Sequence, residues 1–192
     1  MPSAVDGSSV VGLVAVGILT GNILLGLLIS TGYNPRRRWP RRNIKLFQLH
    51  NWTGYIALAA ATLHPSILLF SSTDRFGLLD ILAPISSPKQ PSINTLGAVA
   101  LYLVAFAVTT SYFRRVFGFH RWKQLHYATY AAAAVFYLHG TLSDPLLQNR
   151  PVDWIDAEKV YVEGCFLLVA VATILRYRYS RTRKRGPAIA SA

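Results

Sequence analysis

The sequence has a single cysteine, Cys165, and few acidic residues. One thiol cannot form a disulfide within the chain, and there is no paired Cys/His spacing of the kind that holds a structural zinc ion. Only 8 Asp and Glu residues stand against 20 Lys and Arg, which gives a formal net charge of +12. Nucleic-acid binding would need a soluble basic face or a binding motif, and the sequence offers neither. We therefore expect no nucleic acid among the partners.

Long polar segments are also scarce, and the composition is too apolar for an ordinary soluble domain. Hydrophobic residues make up 52% of the chain, and the mean hydropathy is +0.32. Apolar runs predict five membrane spans, each near the ~20 residues that cross a bilayer, at 10–29, 47–70, 95–113, 125–142 and 159–175. The predicted fold class is an all-α membrane protein, a bundle of about five transmembrane helices, with membrane lipid as its surroundings.

Domain organisation and membrane orientation follow from where the charges lie. No Lys or Arg precedes Arg36, so the first apolar run lacks the basic region of a secretory signal and is predicted to be a retained span. One domain is expected over residues 1–185, followed by a disordered tail at 186–192. Sixteen of the 20 basic residues fall in segments 36–45, 114–123 and 176–185, all on one predicted side. The positive-inside rule makes that side cytoplasmic and puts the amino terminus outside.

Four of the five histidines lie in two of the predicted spans. His50 and His64 occupy the second span, and His126 and His139 occupy the fourth. An ionisable side chain inside a membrane marks a functional site by default, and neutral imidazole is an axial ligand of haem iron. Because the third span returns the chain, the two histidine spans cross in the same direction. His50 should then lie level with His126, and His64 level with His139 about 20 Å deeper.

The matched depths predict two bis-histidine sites stacked along the membrane normal, each holding one haem. The sequence has no C-x-x-C-H motif, so both haems would be non-covalent haem b. Other metal centres need three or four converging ligands, which pairs about 20 Å apart do not supply. In a haem-free protein the histidines would serve helix packing or proton passage instead. His120 has no partner at its depth and is predicted to lie at the surface or to face a propionate.

One spacing does not fit an ideal helix. His50 and His64 are fourteen positions apart, which turns an ideal helix to about 40° short of four full turns, so the two side chains share a face. His126 and His139 are thirteen positions apart, which leaves the helix about 140° short, so the two side chains point in different directions. We expect the fourth span to be overwound or kinked, or its two ligands to approach their irons from different directions.

Four basic residues are candidates for contact with haem propionates at the cytoplasmic side. They are Arg42, Lys45, Arg121 and Lys123. Arg is suited to bidentate contact with a carboxylate. The same side chains also fit the simpler role of interfacial anchors. No residue is assigned a catalytic role.

The spacings of fourteen and thirteen, and the run RWKQLHYATY leading into FYLHG, resemble the ferric reductase-like transmembrane domain. NADPH oxidases, ferric-chelate reductases and the haem subunit of periplasmic methionine-sulfoxide reductase share that domain. The likeness extends over about residues 47–175. It implies that His50 and His126 hold an inner haem, that His64 and His139 hold an outer haem, and that electrons pass from a cytoplasmic donor to an acceptor outside.

The sequence also departs from the full-length oxidases. Seventeen residues follow Leu175, too few for a flavin and nicotinamide domain, and no Gly-rich dinucleotide fingerprint is present. Where the oxidases carry a second histidine one turn past the outer ligand, this chain has Leu68. We therefore expect an electron-transfer subunit of a multi-component redox system, with a redox partner protein or a quinol as donor and with an unidentified acceptor.

Two alternatives stay open beside that expectation. One is a self-contained ferric-chelate or oxygen reductase, and the other is a haem-free membrane anchor or assembly subunit. Whether the chain is itself an enzyme is left open. The expected location is the inner or plasma membrane of a bacterium.

Overall fold

The computed structural model describes residues 3–33, 45–71, 75–144 and 155–185. All regular structure within these ranges is helical. The α-helices are α1 (Ala4–Ser30), α2 (Leu46–Ser66), α3 (Leu78–Leu82), α4 (Pro91–Tyr112), α5 (Arg114–Phe117), α6 (Phe119–His126), α7 (Ala128–Leu142) and α8 (Ala157–Arg185). Short 3₁₀ helices follow α2 at Ile67–Phe70 and α3 at Pro84–Ser86. The predicted tail, 186–192, and Arg42 lie outside the described residues.

Four helices in the described ranges are long and apolar enough to cross a membrane: Ala4–Ser30, Leu46–Phe70, Pro91–Tyr112 and Ala157–Thr182. The all-helical prediction is confirmed, and the predicted first, second, third and fifth spans correspond to these helices. The predicted fourth span is different, because Tyr127 divides it into α6 and α7. Helix α7 has 15 residues, fewer than the ~20 that usually cross a bilayer.

The two histidine helices pack mainly against different neighbours. Helix α2 lies along α1, and α7 lies along α4, while α8 contacts both α1 and α7. A small core of α4, α7 and α8, against which side chains of α1 pack, contains Ala100, Ala133, Phe136, Tyr137, Val162 and Val169. The Tyr137 hydroxyl reaches Thr20 Oγ1 at 2.8 Å, which links α7 to α1. Alanines in this core let the helix backbones approach closely, the usual way in which helices associate in lipid.

The amino end of α1 is fixed by its own capping box. The Ser3 hydroxyl accepts a hydrogen bond from the Asp6 N–H at 3.1 Å, and the Asp6 carboxylate accepts one from the Ser3 N–H at 2.8 Å. This reciprocal pair satisfies two of the free N–H groups at the helix start. The next turn of α1 carries Ser8 and Ser9, whose hydroxyls donate to His64 O at 2.8 Å and to Glu158 Oε2 at 3.1 Å.

Candidate cofactor site

The four membrane histidines form two pairs. The ring centroids of His50 and His126 are 6.3 Å apart, and those of His64 and His139 are 6.4 Å apart. In each pair one ring comes from α2 and the other from the α6–α7 segment. The residues pair in the same order along both segments, so the two segments run in the same direction. The fourteen residues from His50 to His64 separate the two pairs by about 20 Å along α2.

A tightened turn at Tyr127 explains how His126 and His139 both reach a partner. His126 is the last residue of α6, and His139 lies in α7. At the junction, the Tyr127 N–H donates to Gln124 O at 3.2 Å and the Tyr130 N–H donates to Tyr127 O at 3.0 Å. These bonds span three residues, as in a 3₁₀ helix, which winds more tightly than an α-helix. Of the possibilities expected from the spacing, the structure therefore has a local break with tighter winding.

Each of the four rings is held by a hydrogen bond at Nδ1. The acceptor is a backbone carbonyl for three of them: Asn22 O for His50 at 3.0 Å, Ser8 O for His64 at 2.7 Å and Ile93 O for His139 at 2.9 Å. For His126 the partner is the Ser111 hydroxyl at 3.2 Å. A carbonyl can only accept, so Nδ1 carries the proton in those three rings. In the described parts of the chain, no hydrogen bond occupies Nε2 of any of the four.

The side chains beside the carbonyls strengthen this arrangement. Asn22 Nδ2 donates to His50 O at 2.6 Å and to Thr53 Oγ1 at 2.8 Å, joining α1 to α2. The Ser8 hydroxyl donates to His64 O at 2.8 Å. Each of these residues therefore holds a histidine twice, the backbone through its side chain and the ring through its carbonyl. Interhelical hydrogen bonds of this kind are a normal means of helix association in membranes.

Three glycines make room for three of the rings. A Cβ atom at Gly97 would lie 2.8 Å from His139 Cε1, and one at Gly12 would lie 2.9 Å from His64 Cε1. At Gly26 the corresponding distance to His50 Cε1 would be 3.2 Å. His126 is packed differently, since its ring lies 5.2 Å from the Trp122 ring at an interplanar angle of 30°. The helices of the bundle therefore approach the histidines more closely than side chains would allow.

A cavity surrounds the His64–His139 pair, which we call the outer cavity. It is lined by α1, α2, α4, α7, the start of α8 and the segment containing Phe76 and Asp80. Its empty volume is about 1250 Å³, including space that opens to the surface. Apolar side chains such as Leu13, Leu101 and Phe136 supply most of the wall, with a few polar groups among them. A largely apolar cavity with a few convergent polar groups is typical of a cofactor site.

Comparison with protein families identifies a match over most of the chain. The profile of the ferric reductase-like transmembrane component family covers residues 11–137. The chain belongs to this family. No curated protein and no solved structure matches the chain. The match begins in α1, earlier than the resemblance at residues 47–175 indicated, and it ends two residues before His139.

Family membership and the four membrane-length helices make this chain an integral membrane protein of a family associated with transmembrane electron transfer. Proteins of the family are known to bind haem. The donors present here fit that group. Among the described residues no cluster of three or more His, Cys, Asp or Glu side chains could hold a metal ion, whereas axial ligation of haem needs only one or two side chains. With a metal–imidazole bond of about 2 Å, two rings that ligate one metal through Nε2 have centroids roughly 6 Å apart. Both ring separations agree with that distance.

Three of the four basic residues predicted to contact propionates fall in the described ranges, and they lie away from the outer cavity. Lys45 is exposed just before α2, Arg121 is exposed on α6, and the ammonium of exposed Lys123 lies 6.0 Å from the Phe119 ring centre. Their role at the inner pair stays a prediction. His120 is exposed, and its ring centroid is 5.8 Å from that of Phe119, so it has no place in either histidine pair.

Sequence reasoning missed several residues of this site. Ser8, Ser111 and Gly97 carried no signal, because each acts on a histidine far away in the sequence. Asn22 and the glycines of α1 could be assigned to helix packing, but their contacts with particular histidines could not. Lys159 lines the outer cavity and was also missed, since in the sequence it is one basic residue at the start of a span.

Proposed function

We propose that this chain is a transmembrane b-type cytochrome that binds two haems, with His50 and His126 as ligands of one and His64 and His139 as ligands of the other. The observation that carries the proposal is the common geometry of the two pairs: four rings with Nδ1 engaged, Nε2 open, and centroids 6.3 and 6.4 Å apart. Haem supplies one-electron oxidation and reduction, and the protein supplies ligation, position and dielectric.

The chain's own residues favour ligation over the other uses of a membrane histidine. Hydrogen bonds at Nδ1 select the tautomer in which Nε2 has a free lone pair, and such partners also orient ligand rings at metal sites. A proton-conducting histidine would need both nitrogens to exchange protons, whereas the carbonyls of Asn22, Ser8 and Ile93 hold one proton in place. Histidines that serve only helix packing would make the same hydrogen bonds. Haem content therefore has to distinguish haem ligation from helix packing.

We infer the orientation and the route from charge. The described basic segments 114–123 and 176–185 flank the His50–His126 end, so that end is placed in the cytoplasm by the positive-inside rule. The α6–α7 segment then forms a fifth crossing. Electrons would enter near His50 and His126 from a redox partner protein or a quinol and leave near His64 and His139 to an acceptor outside. The expected location is the inner or plasma membrane of a bacterium.

A second candidate is a self-contained reductase of ferric chelates or oxygen, and the outer cavity favours it. The cavity opens to the surface and contains charged groups, Asp80, Glu158 and Lys159, that a small acceptor could meet. Turnover of such an acceptor by the purified chain with only a chemical reductant would support this candidate. A requirement for a second protein would support the subunit.

Haem stoichiometry tests the proposal. The full chain, expressed with haem supplied and purified in mild detergent, should contain about two haems per chain by pyridine haemochrome assay, with a b-type spectrum after reduction by dithionite. A folded but colourless preparation would leave only the haem-free anchor. His64→Ala and His139→Ala should each remove the same haem, and His50→Ala and His126→Ala the other.

His120→Ala is the matched control, because His120 is an exposed histidine outside both pairs. It should keep both haems. If His64→Ala and His139→Ala removed different haems, the pairing would be wrong even though the protein was a cytochrome.

A further inference from the structure

Lys159 is a buried cation in the wall of the outer cavity. It lies in the first turn of α8 and is only 5% exposed. Across the described ranges, no carboxylate oxygen lies within 4.0 Å of its ammonium, and no hydrogen bond to it is formed. No buried side-chain nitrogen or oxygen of the described residues lacks a hydrogen-bond partner, so the unpartnered ammonium must border open space and is not enclosed by the packed protein. A cation in the wall of a largely apolar cavity is stabilised by a counter-charge in that cavity.

The two carboxylates that line the same cavity do not supply this counter-charge. Glu158 accepts a hydrogen bond from the Ser9 hydroxyl at 3.1 Å. Asp80 accepts one from the Gly77 N–H at 2.8 Å, at the start of its own short helix. Both are engaged by neutral donors and stand apart from Lys159. The cavity therefore presents a positive group that the described protein residues leave unmatched.

We propose that Lys159 binds a carboxylate of the group that fills the outer cavity. Resting on the proposed function, that carboxylate is a propionate of the outer haem, because His64, His139 and Lys159 line one cavity. A charged donor makes hydrogen bonds to carboxylates that are shorter and stronger than neutral ones. Lys159 would thereby fix the rotation of the porphyrin within the cavity, which two axial ligands leave free.

A chemical double-mutant cycle tests this assignment. The full-length protein and Lys159→Met are each loaded with haem or with haem dimethyl ester, whose propionates are esterified, and transfer of porphyrin to excess apomyoglobin is followed. The kinetic phase of porphyrin release that is missing in His64→Ala is assigned to the outer site. With haem, Lys159→Met should release the outer group roughly 10- to 100-fold faster, the factor expected for a hydrogen bond to a charged group. With the diester, both proteins should release it at the same rate.

The cycle separates the possible sources of the carboxylate. Equal acceleration of haem and diester by Lys159→Met would overturn the propionate assignment, because the lysine would then act on the porphyrin without its carboxylates. Unchanged release of both would overturn the anion site altogether. Absence of haem from the wild-type protein would instead reject the proposed function.

Two further variants guard against a purely structural effect. Lys159→Arg keeps the charge and should retain slow haem release. If Lys159→Met does not fold, the test compares haem with its diester in the wild type and in Lys159→Arg. Both proteins should release haem from the outer site more slowly than the diester, and equal release rates would overturn the assignment. Arg115→Met removes one positive charge from an exposed position outside the outer cavity and should leave both phases unchanged.

Discussion

Gly97 lies against the ring of His139. A Cβ atom at this position would be 2.8 Å from Cε1 and 2.9 Å from Nε2, distances that real Cβ atoms essentially never show. Helix α4 therefore carries no side chain where the His139 ring crosses it. Because the ring is also held by Ile93 O, four residues before Gly97, it cannot shift away without losing that hydrogen bond.

We predict that Gly97→Ala removes the outer haem and leaves the inner one. Alanine favours a helix over glycine by about 1 kcal/mol, so a loss of haem cannot be ascribed to weaker helix formation. Haem stoichiometry should fall from about two to about one per chain. Gly21→Ala is the control, since a Cβ there meets nothing within 4 Å, and it should retain both haems. Equal behaviour of the two variants would mean that the His139 ring does not need the space at Gly97.

Ser111 is the Nδ1 partner of His126, the one histidine of the two pairs whose Nδ1 is not bonded to a backbone carbonyl among the described residues. Its Oγ lies 3.2 Å from His126 Nδ1 and also accepts a hydrogen bond from Trp122 Nε1 at 3.3 Å. Loss of such a partner typically weakens metal binding 10- to 100-fold. Ser111→Ala should therefore weaken inner-haem binding by about this factor, measured as haem transfer to apomyoglobin. Ser111→Thr keeps the hydroxyl and should behave like the wild type.

Asn22 joins α1 to the backbone of His50. Its side-chain amide donates to His50 O at 2.6 Å and to Thr53 Oγ1 at 2.8 Å. Side-chain hydrogen bonds between membrane helices contribute on average ~0.6 kcal/mol and at most about 1.7 kcal/mol. Asn22→Ala should lower the free energy of unfolding in detergent by about 1 kcal/mol, while His50 Nδ1 keeps its bond to the backbone carbonyl.

Thr173→Ala provides the comparison for Asn22→Ala. Among the described residues, the Thr173 hydroxyl bonds to Val169 O of its own helix at 2.8 Å and to no other helix, so its loss should cost little. If the two variants unfolded at the same denaturant concentration, the amide of Asn22 would contribute nothing to helix association.

The sequence was sufficient to predict most of the helices and the two histidine pairs, because hydropathy, charge and histidine spacing are local properties of the chain. The surroundings of the histidines were not predictable in the same way. Ser8 and Gly97 act on His64 and His139 through tertiary packing, and small residues in a membrane helix have many possible neighbours. Lys159 is visible as a cavity residue only once α8 is placed against α1 and α7.

The division of the predicted fourth span shows a further limit. Hydropathy continues through Tyr127, so the apolar run alone predicts one helix over 125–142. The change to three-residue hydrogen bonds at Tyr127 alters the winding without altering the polarity. Only the thirteen-residue spacing of His126 and His139 indicated that an ideal helix would not suffice, and it could not say where the helix changes.

The Tyr127 junction leads to a last prediction, which concerns spacing. If the tightened turn is what brings both histidines to their partners, thirteen residues is the required spacing and fourteen is not. Insertion of one alanine into the run Ala131–Ala134 would rotate His139 by ~100° and shift it 1.5 Å relative to His126. The outer haem should be lost, although the spacing would then equal that of His50 and His64. One alanine inserted after Gly118, before α6, leaves the thirteen-residue spacing of His126 and His139 unchanged and should retain both haems. If the protein with an alanine inserted in Ala131–Ala134 still bound two haems, the proposed role of the Tyr127 turn would be wrong.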